Sequence, residues 1–229
     1  MKFSILLLYF IVFSIQEKVD PSKMLIIYFT RTGNTELFSN YIKEKININS
    51  FKINPVTPYT EDYNEMLTVA RNEQNNNARP EIKEPLTDIS KYEVILIGTP
   101  IWYSHIPNIV ITQLEKLNFQ GKTIYPFNTH GGSGVGSTVN DIKQYASGAN
   151  VKEGFPLSGD YVKNNKNNAM NDIDQWIEKN FQFEEEEKEE KEEKEEKEEE
   201  EEDVYTPKSN SVFINIKYIL MIRLFSLIY

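Results

Sequence analysis

The sequence has no cysteine and only two histidines among 229 residues. Without cysteine there is no disulfide, no thiolate nucleophile and no cysteine-ligated zinc. His105 and His130 stand in no HExxH or comparable spacing, so the pattern gives a metal site no support. No Gly-x4-Gly-Lys-Ser/Thr nucleotide loop occurs, and the lone Gly-Lys-Thr, Gly121 to Thr123, precedes a strand rather than a helix. Asn-x-Ser/Thr sequons are also missing despite abundant Asn. Basic stripes are missing too. The formal charge of -10 is concentrated in the run Glu184 to Asp203, whose sixteen carboxylates and four lysines leave the rest of the chain close to neutral. Nothing there suits a nucleic-acid partner.

Both ends differ from the middle. Lys2, the apolar run Ile5 to Phe13 and Ser14-Ile15-Gln16 outline a secretory signal peptide over residues 1–16. That implies the secretory pathway, or the cytoplasm if translation starts at Met24. The acidic Glu/Lys run over 184–203 has almost no apolar residue and cannot bury a core, so it reads as a solvated helix or a disordered segment. Residues 204–229 end in SVFINIKYILMIRLFSLIY, apolar but carrying Asn215, Lys217 and Arg223. From Val212 onward this stretch would reach roughly 27 Å as a helix, near the lower limit for spanning a bilayer. A membrane anchor or interfacial helix, a lipid-anchor signal without its polar spacer, and a C-terminus with the bias of AT-rich noncoding sequence are the readings it allows.

The body, residues 24–183, opens with LIIYFTRTGNTELFSNYI. Leu25 to Phe29 form a continuous apolar run, which suits a strand covered on both faces. Leu37, Phe38, Tyr41 and Ile42 then recur at helical spacing. The loop between them, Thr30-Arg31-Thr32-Gly33-Asn34-Thr35, offers hydroxyls, a permissive glycine and the N–H groups of a helix start. Such a loop suits an anion, most naturally a phosphate. Further strands are expected at Phe51 to Ile53, Val94 to Ile97, Thr123 to Phe127 and Val151 to Phe155. Helices are expected over Glu61 to Asn75, Pro107 to Leu117, around Val139 to Ala146, and around Met170 to Phe181.

Alternating strands and helices predict an α/β fold with a doubly wound parallel sheet. Ligands of such sheets sit at the carboxyl ends of the strands. Three unusual loops, Thr30–Thr35, Thr99–Pro107 and Thr129–Ser137, each follow a predicted strand and should converge on one edge. Each has a plainer reading. The first could be a turn with a helix cap, Trp102 and Tyr103 could be core residues, and the run Gly131 to Gly136 could be a surface linker.

Taken in order, these segments resemble the flavodoxin family. The first loop matches Thr/Ser-x-Thr-Gly-x-Thr, and GTPIWYSHIPNIVITQLEKLNFQGKTIYPFNTHGGSGVGS is similar to the flavin loops of a bacterial-type branch, as are DYN at Asp62 to Asn64 and ARPEI at Ala78 to Ile82. The resemblance implies a five-stranded sheet in the order 2-1-3-4-5 and non-covalent FMN. It implies that Thr30, Thr32, Asn34 and Thr35 bind the phosphate around Gly33, with Arg31 nearby. Pro100, Ile101, Trp102 and Tyr103 would lie against the isoalloxazine, and Thr129, His130, Gly131 and Gly132 would cover its pyrimidine edge with backbone N–H groups. His105 is either an idle surface histidine or, if protonated near the ring, a group that raises its potential. The function implied is electron transfer to redox partner proteins or a small-molecule acceptor. An FMN-dependent NAD(P)H or quinone oxidoreductase is the first alternative, and a non-enzymatic interaction protein acting through the acidic tail the second.

Overall fold

The computed structural model describes residues 19–183. The segment expected to be a signal peptide, the acidic run and the apolar end therefore lie outside the described residues. In chain order the elements are β1 (Met24–Tyr28), α1 (Asn34–Lys45), β2 (Asn49–Lys52), α2 (Tyr63–Asn75), β3 (Val94–Pro100), α3 (Asn108–Leu114), β4 (Thr123–His130), α4 (Thr138–Tyr145), β5 (Asn150–Val151), β6 (Phe155–Ser158), α5 (Gly159–Asn164) and α6 (Lys166–Asn180).

Successive strand residues point to opposite faces, and here the two faces build two cores. Leu25 and Ile27 of β1 join Ile95 and Ile97 of β3 in one cluster with α3 and α4. Met24, Ile26 and Tyr28 join Val94 and Leu96 in the other with α1 and α6. β1 is buried along its whole length, which explains why its sequence shows no polar alternation. The strands pair in parallel in the order β2-β1-β3-β4-β5, with β6 also on β4. This is the flavodoxin-like order expected.

The fifth position is divided. β5 pairs with Thr123 and Ile124 at the start of β4, and β6 pairs with Phe127 to His130 at its end. The continuous strand expected over Val151 to Phe155 is interrupted at Lys152-Glu153-Gly154. Glu153 is exposed, and Gly154 lets Val135 and Val139 pack where a Cβ would stand. β4 also runs further than expected, so Thr129 and His130 belong to its last rungs, opposite Leu157 and Ser158. The domain starts before β1. The Val19 N–H donates to the Gln182 carbonyl at 2.7 Å, and Val19 and Phe183 pack on the second core.

Candidate functional site

The carboxyl ends of β1, β3 and β4 meet at a cavity of about 580 Å³. All three predicted loops reach it. Arg31, Thr32 and Asn34 line it from the first, Pro100, Ile101, Trp102 and Tyr103 from the second, and Thr129, His130 and Gly131 from the third. Thr30, Gly33, Thr35 and Gly132 stay outside the lining, and each has a structural task. Thr30 Oγ1 accepts from the Gly33 N–H at 3.0 Å and closes the turn. Gly33 is the helix N-cap in the left-handed region, φ 88°. Thr35 is buried, and its hydroxyl lies 2.8 Å from that of Thr129, tying the first loop to β4. The Gly132 N–H donates to His130 Nδ1 at 3.0 Å.

The first loop leaves several donors free. No side chain caps α1, and the N–H groups of Asn34, Thr35 and Glu36 donate to no acceptor among the described residues. A helix start left in that state presents donors and the positive end of its dipole. Arg31 is committed elsewhere. Its Nε and Nη2 donate to the carbonyls of Thr60 and Glu61 at 3.0 and 2.8 Å, so it braces the segment before α2.

The second loop is a tight hairpin. Trp102 and His105 exchange both backbone hydrogen bonds, 2.9 and 3.0 Å, and the residues between them, Tyr103 and Ser104, have φ of 48° and 66°. That is type I′ geometry, which usually calls for Asn and Gly. Trp102 is half in the core, edge-on to Phe29 and Tyr59 with centroids 5.6 and 5.0 Å away. It also lines the cavity. Trp102 thus packs partly in the core and partly against the cavity. Tyr103 is exposed, with the Arg71 guanidinium 4.8 Å over its ring.

The two histidines separate. His130 is at the cavity, and burial pushes its pKa below the usual histidine range. It is therefore neutral at pH 7, and because Nδ1 accepts from Gly132, the proton belongs on Nε2. His105 does not line this cavity. Its Nδ1 lies 3.0 Å from Asp141 Oδ1, and the pair borders a separate cavity of about 250 Å³. The expectation of a charge beside the ring from His105 therefore has no geometric basis.

Sequence reasoning missed part of the wall. Tyr63, Met66, Leu67 and Ala70 of α2 face the cavity, as do Gly159 and Asp160 of α5. The apolar side of α2 was legible, but an amphipathic helix reads the same whether its apolar side meets core or ligand. Gly159 packs so closely on Asn34 that a Cβ there would strike the Asn34 side-chain amide.

Residues 23–180 match the family model described as flavodoxin, which is more than half of the chain. The chain belongs to the flavodoxin family. Solved flavoproteins share the fold over nearly their whole length. A protein assigned as a flavoprotein from Bacteroides eggerthii is 31% identical, with a TM-score of 0.58 over 69% of this chain and 96% of that one. A second, from Bacteroides uniformis, is 27% identical with a TM-score of 0.58, over 68% and 99%. A flavoprotein from Lactobacillus acidophilus, solved in complex with FMN, is 23% identical with a TM-score of 0.51, over 63% and 97%. No curated protein matches the sequence. For a member of the flavodoxin family the cavity has a fitting chemistry: aromatic side chains beside an uncapped helix start suit a ring that carries a phosphate.

Proposed function

We propose that this domain binds FMN non-covalently and works as an electron carrier. The observation that carries the reading is that the uncapped start of α1 and the Trp102–Tyr103 turn open onto one cavity of about 580 Å³. Family membership and the FMN complex of the Lactobacillus acidophilus relative support the choice of ligand. When bound, FMN supplies electron chemistry that no side chain here provides.

The chain's own residues bind and orient. The N–H groups of Asn34, Thr35 and Glu36 take the phosphate, joined by Thr32, which is exposed and has no hydrogen-bond partner among the described residues. Each hydrogen bond to a charged group contributes about 1.5–3 kcal/mol. Arg31, at the rim of the cavity, spends two of its five donors on Thr60 and Glu61 and adds its positive charge to the cradle. Pro100, Ile101, Trp102 and Tyr103 give the ring its apolar bed, and Tyr63, Met66, Leu67 and Ala70 of α2 add to the wall. Stacking on an aromatic contributes about 0.5–1.5 kcal/mol beyond area burial. The end of β4, Thr129 to Gly131, meets the polar edge, and neutral His130 adds a donor without adding charge.

The alternative of an FMN-dependent NAD(P)H or quinone oxidoreductase draws on one feature. Tyr63 stands 67% exposed at the cavity, on a wall that a planar acceptor would also fit. Steady-state kinetics separate the two. A carrier loaded with FMN should exchange electrons with a reductant or a redox partner protein but show no sustained NAD(P)H oxidation with a quinone. Multiple turnovers per flavin would overturn the carrier reading in favour of the enzyme.

A further inference from the structure

We propose that Asp141 is a positioning residue for the turn that meets the flavin: through His105 and the Ile106 amide it holds Trp102 and Tyr103 in their bound shape. This rests on the FMN reading above.

The turn needs holding. Tyr103 and Ser104 both occupy the left-handed region, φ 48° and 66°, and neither is glycine or asparagine. A bulky residue there is an outlier that persists only when the surroundings over-determine it. Other elements supply the restraint. The Gln74 side-chain amide of α2 donates to the Trp102 carbonyl at 2.7 Å. The Ser137 N–H donates to the Ser104 carbonyl at 2.6 Å. Asp141 takes the remaining strand of the turn. Its Oδ1 and Oδ2 lie 3.0 and 3.1 Å from His105 Nδ1, and Oδ2 also accepts from the Ile106 N–H at 3.1 Å.

The chemistry of Asp141 suits a fixed anchor. Its side chain is 12% exposed, whereas that of His105 is 52% exposed. A buried carboxylate is costly unless its oxygens find donors, and here two donors come from consecutive residues of the turn. Asp141 also sits in the first turn of α4, where the helix dipole favours a negative charge. The anchor therefore comes from a helix, which is rigid, and its partner comes from a strained loop.

The placement has a second consequence. α4 starts directly after the glycine-rich loop, and a Cβ on Gly136 would lie 2.6 Å from the Ser104 oxygen. The third loop and the stacking turn are thus pinned to each other at Gly136 and Ser137 and to α4 at Asp141. They present their flavin contacts as one unit, and loosening Asp141 should disturb both.

The test compares the full chain with Asp141→Ala, Asp141→Asn and His105→Ala. Asparagine keeps one oxygen and can serve Ile106 or His105, so it should fall between alanine and the wild type. Amide hydrogen exchange is measured without flavin, FMN affinity is measured by titration, and the visible circular dichroism of bound flavin reports its setting. In Asp141→Ala the amides of Trp102, His105 and Ile106 should exchange about tenfold faster, and FMN should bind about tenfold more weakly with an altered visible spectrum. The amides of β1 and β3 should not change. Wild-type exchange in the turn together with wild-type affinity would overturn the proposal. So would faster exchange spread evenly over the sheet, which marks general destabilisation. A wild-type chain that takes up no FMN would overturn the functional reading instead, while the exchange rates would still decide whether Asp141 holds the turn.

Discussion

Substitution of Gly33 separates backbone strain from ligand approach. Gly33 has φ 88° and ψ -14°, and a Cβ built on it would meet nothing within 4 Å. A side chain there costs through conformation and not through collision. For valine the left-handed region costs about 1–2 kcal/mol, and for a domain of this size each kcal/mol lowers Tm by about 2–4 °C. The apo protein carrying Gly33→Val should therefore melt about 2–8 °C lower. Asparagine visits that region readily, so apo Gly33→Asn should melt close to the wild type. FMN changes the comparison. Gly33 adjoins the free donors of the α1 start, and a side chain there would crowd a phosphate approaching them. Loss of one hydrogen bond to the phosphate, about 1.5–3 kcal/mol, weakens binding by about ten- to a hundredfold. Both variants should lose at least that much, although only valine costs stability. The assay is thermal melting of the apo forms and FMN titration followed by flavin fluorescence. If Gly33→Asn and Gly33→Val both bind FMN as the wild type does, the phosphate is not seated on this loop.

Trp102→Ala should weaken FMN binding by about tenfold or less, the range of one stacking contact, and change the flavin absorption envelope. Unchanged affinity and spectrum would assign Trp102 to the core that it shares with Phe29 and Tyr59. Gly98→Ala places a Cβ against the Phe127 ring and 3.0 Å from Tyr28 Cβ, overpacking that costs about 1–3 kcal/mol; a melting temperature within 1 °C of the wild type, on the order of the measurement error, would show that the ring moves freely. Burial raises the Glu73 pKa above its ordinary 4.5, while the Tyr59 hydroxyl donating at 3.2 Å opposes this only in part. The ionised form is thus the less welcome one in the fold, so Glu73 favours folding below its unfolded pKa and loses that contribution as pH rises through the raised value. Glu73→Gln, measured by urea unfolding at pH 4 and pH 7 (about half a unit below and well above the ordinary carboxylate value), should gain on the wild type as pH rises, and a gap that shrinks would contradict the burial argument.

The fold was legible where one physical demand dominated. β1 and β3 are buried on both faces, so Leu25 to Phe29 and Val94 to Ile97 show as unbroken apolar runs. α1 and α6 each bury one side, and Phe38, Ile42, Ile173 and Ile177 show it in their spacing. The divided fifth strand was not legible, because Val135 and Val139, which pack against Gly154 at the break, are distant in sequence. α5 is too short to establish a period. At the site, the three loops could be read because hydroxyls, paired aromatics and glycines cluster after strands. Asp141 could not, since one carboxylate on a helix looks solvated until the fold brings His105 and Ile106 to it. Arg31 could be placed only near the loop from sequence; that its guanidinium also holds Thr60 and Glu61 appears only in the fold.

The most direct measurement is a parallel titration of the purified full chain with FMN and with riboflavin, following flavin fluorescence and the visible spectrum. The two ligands share the ring and differ in the phosphate, so the pair reads the aromatic turn and the α1 start separately. Saturable binding of one FMN per chain with a shifted absorption envelope is expected, with riboflavin binding weaker by at least tenfold, the loss of about one hydrogen bond to a charged group. A chain that binds neither ligand, or binds both equally well, would contradict the proposed FMN site.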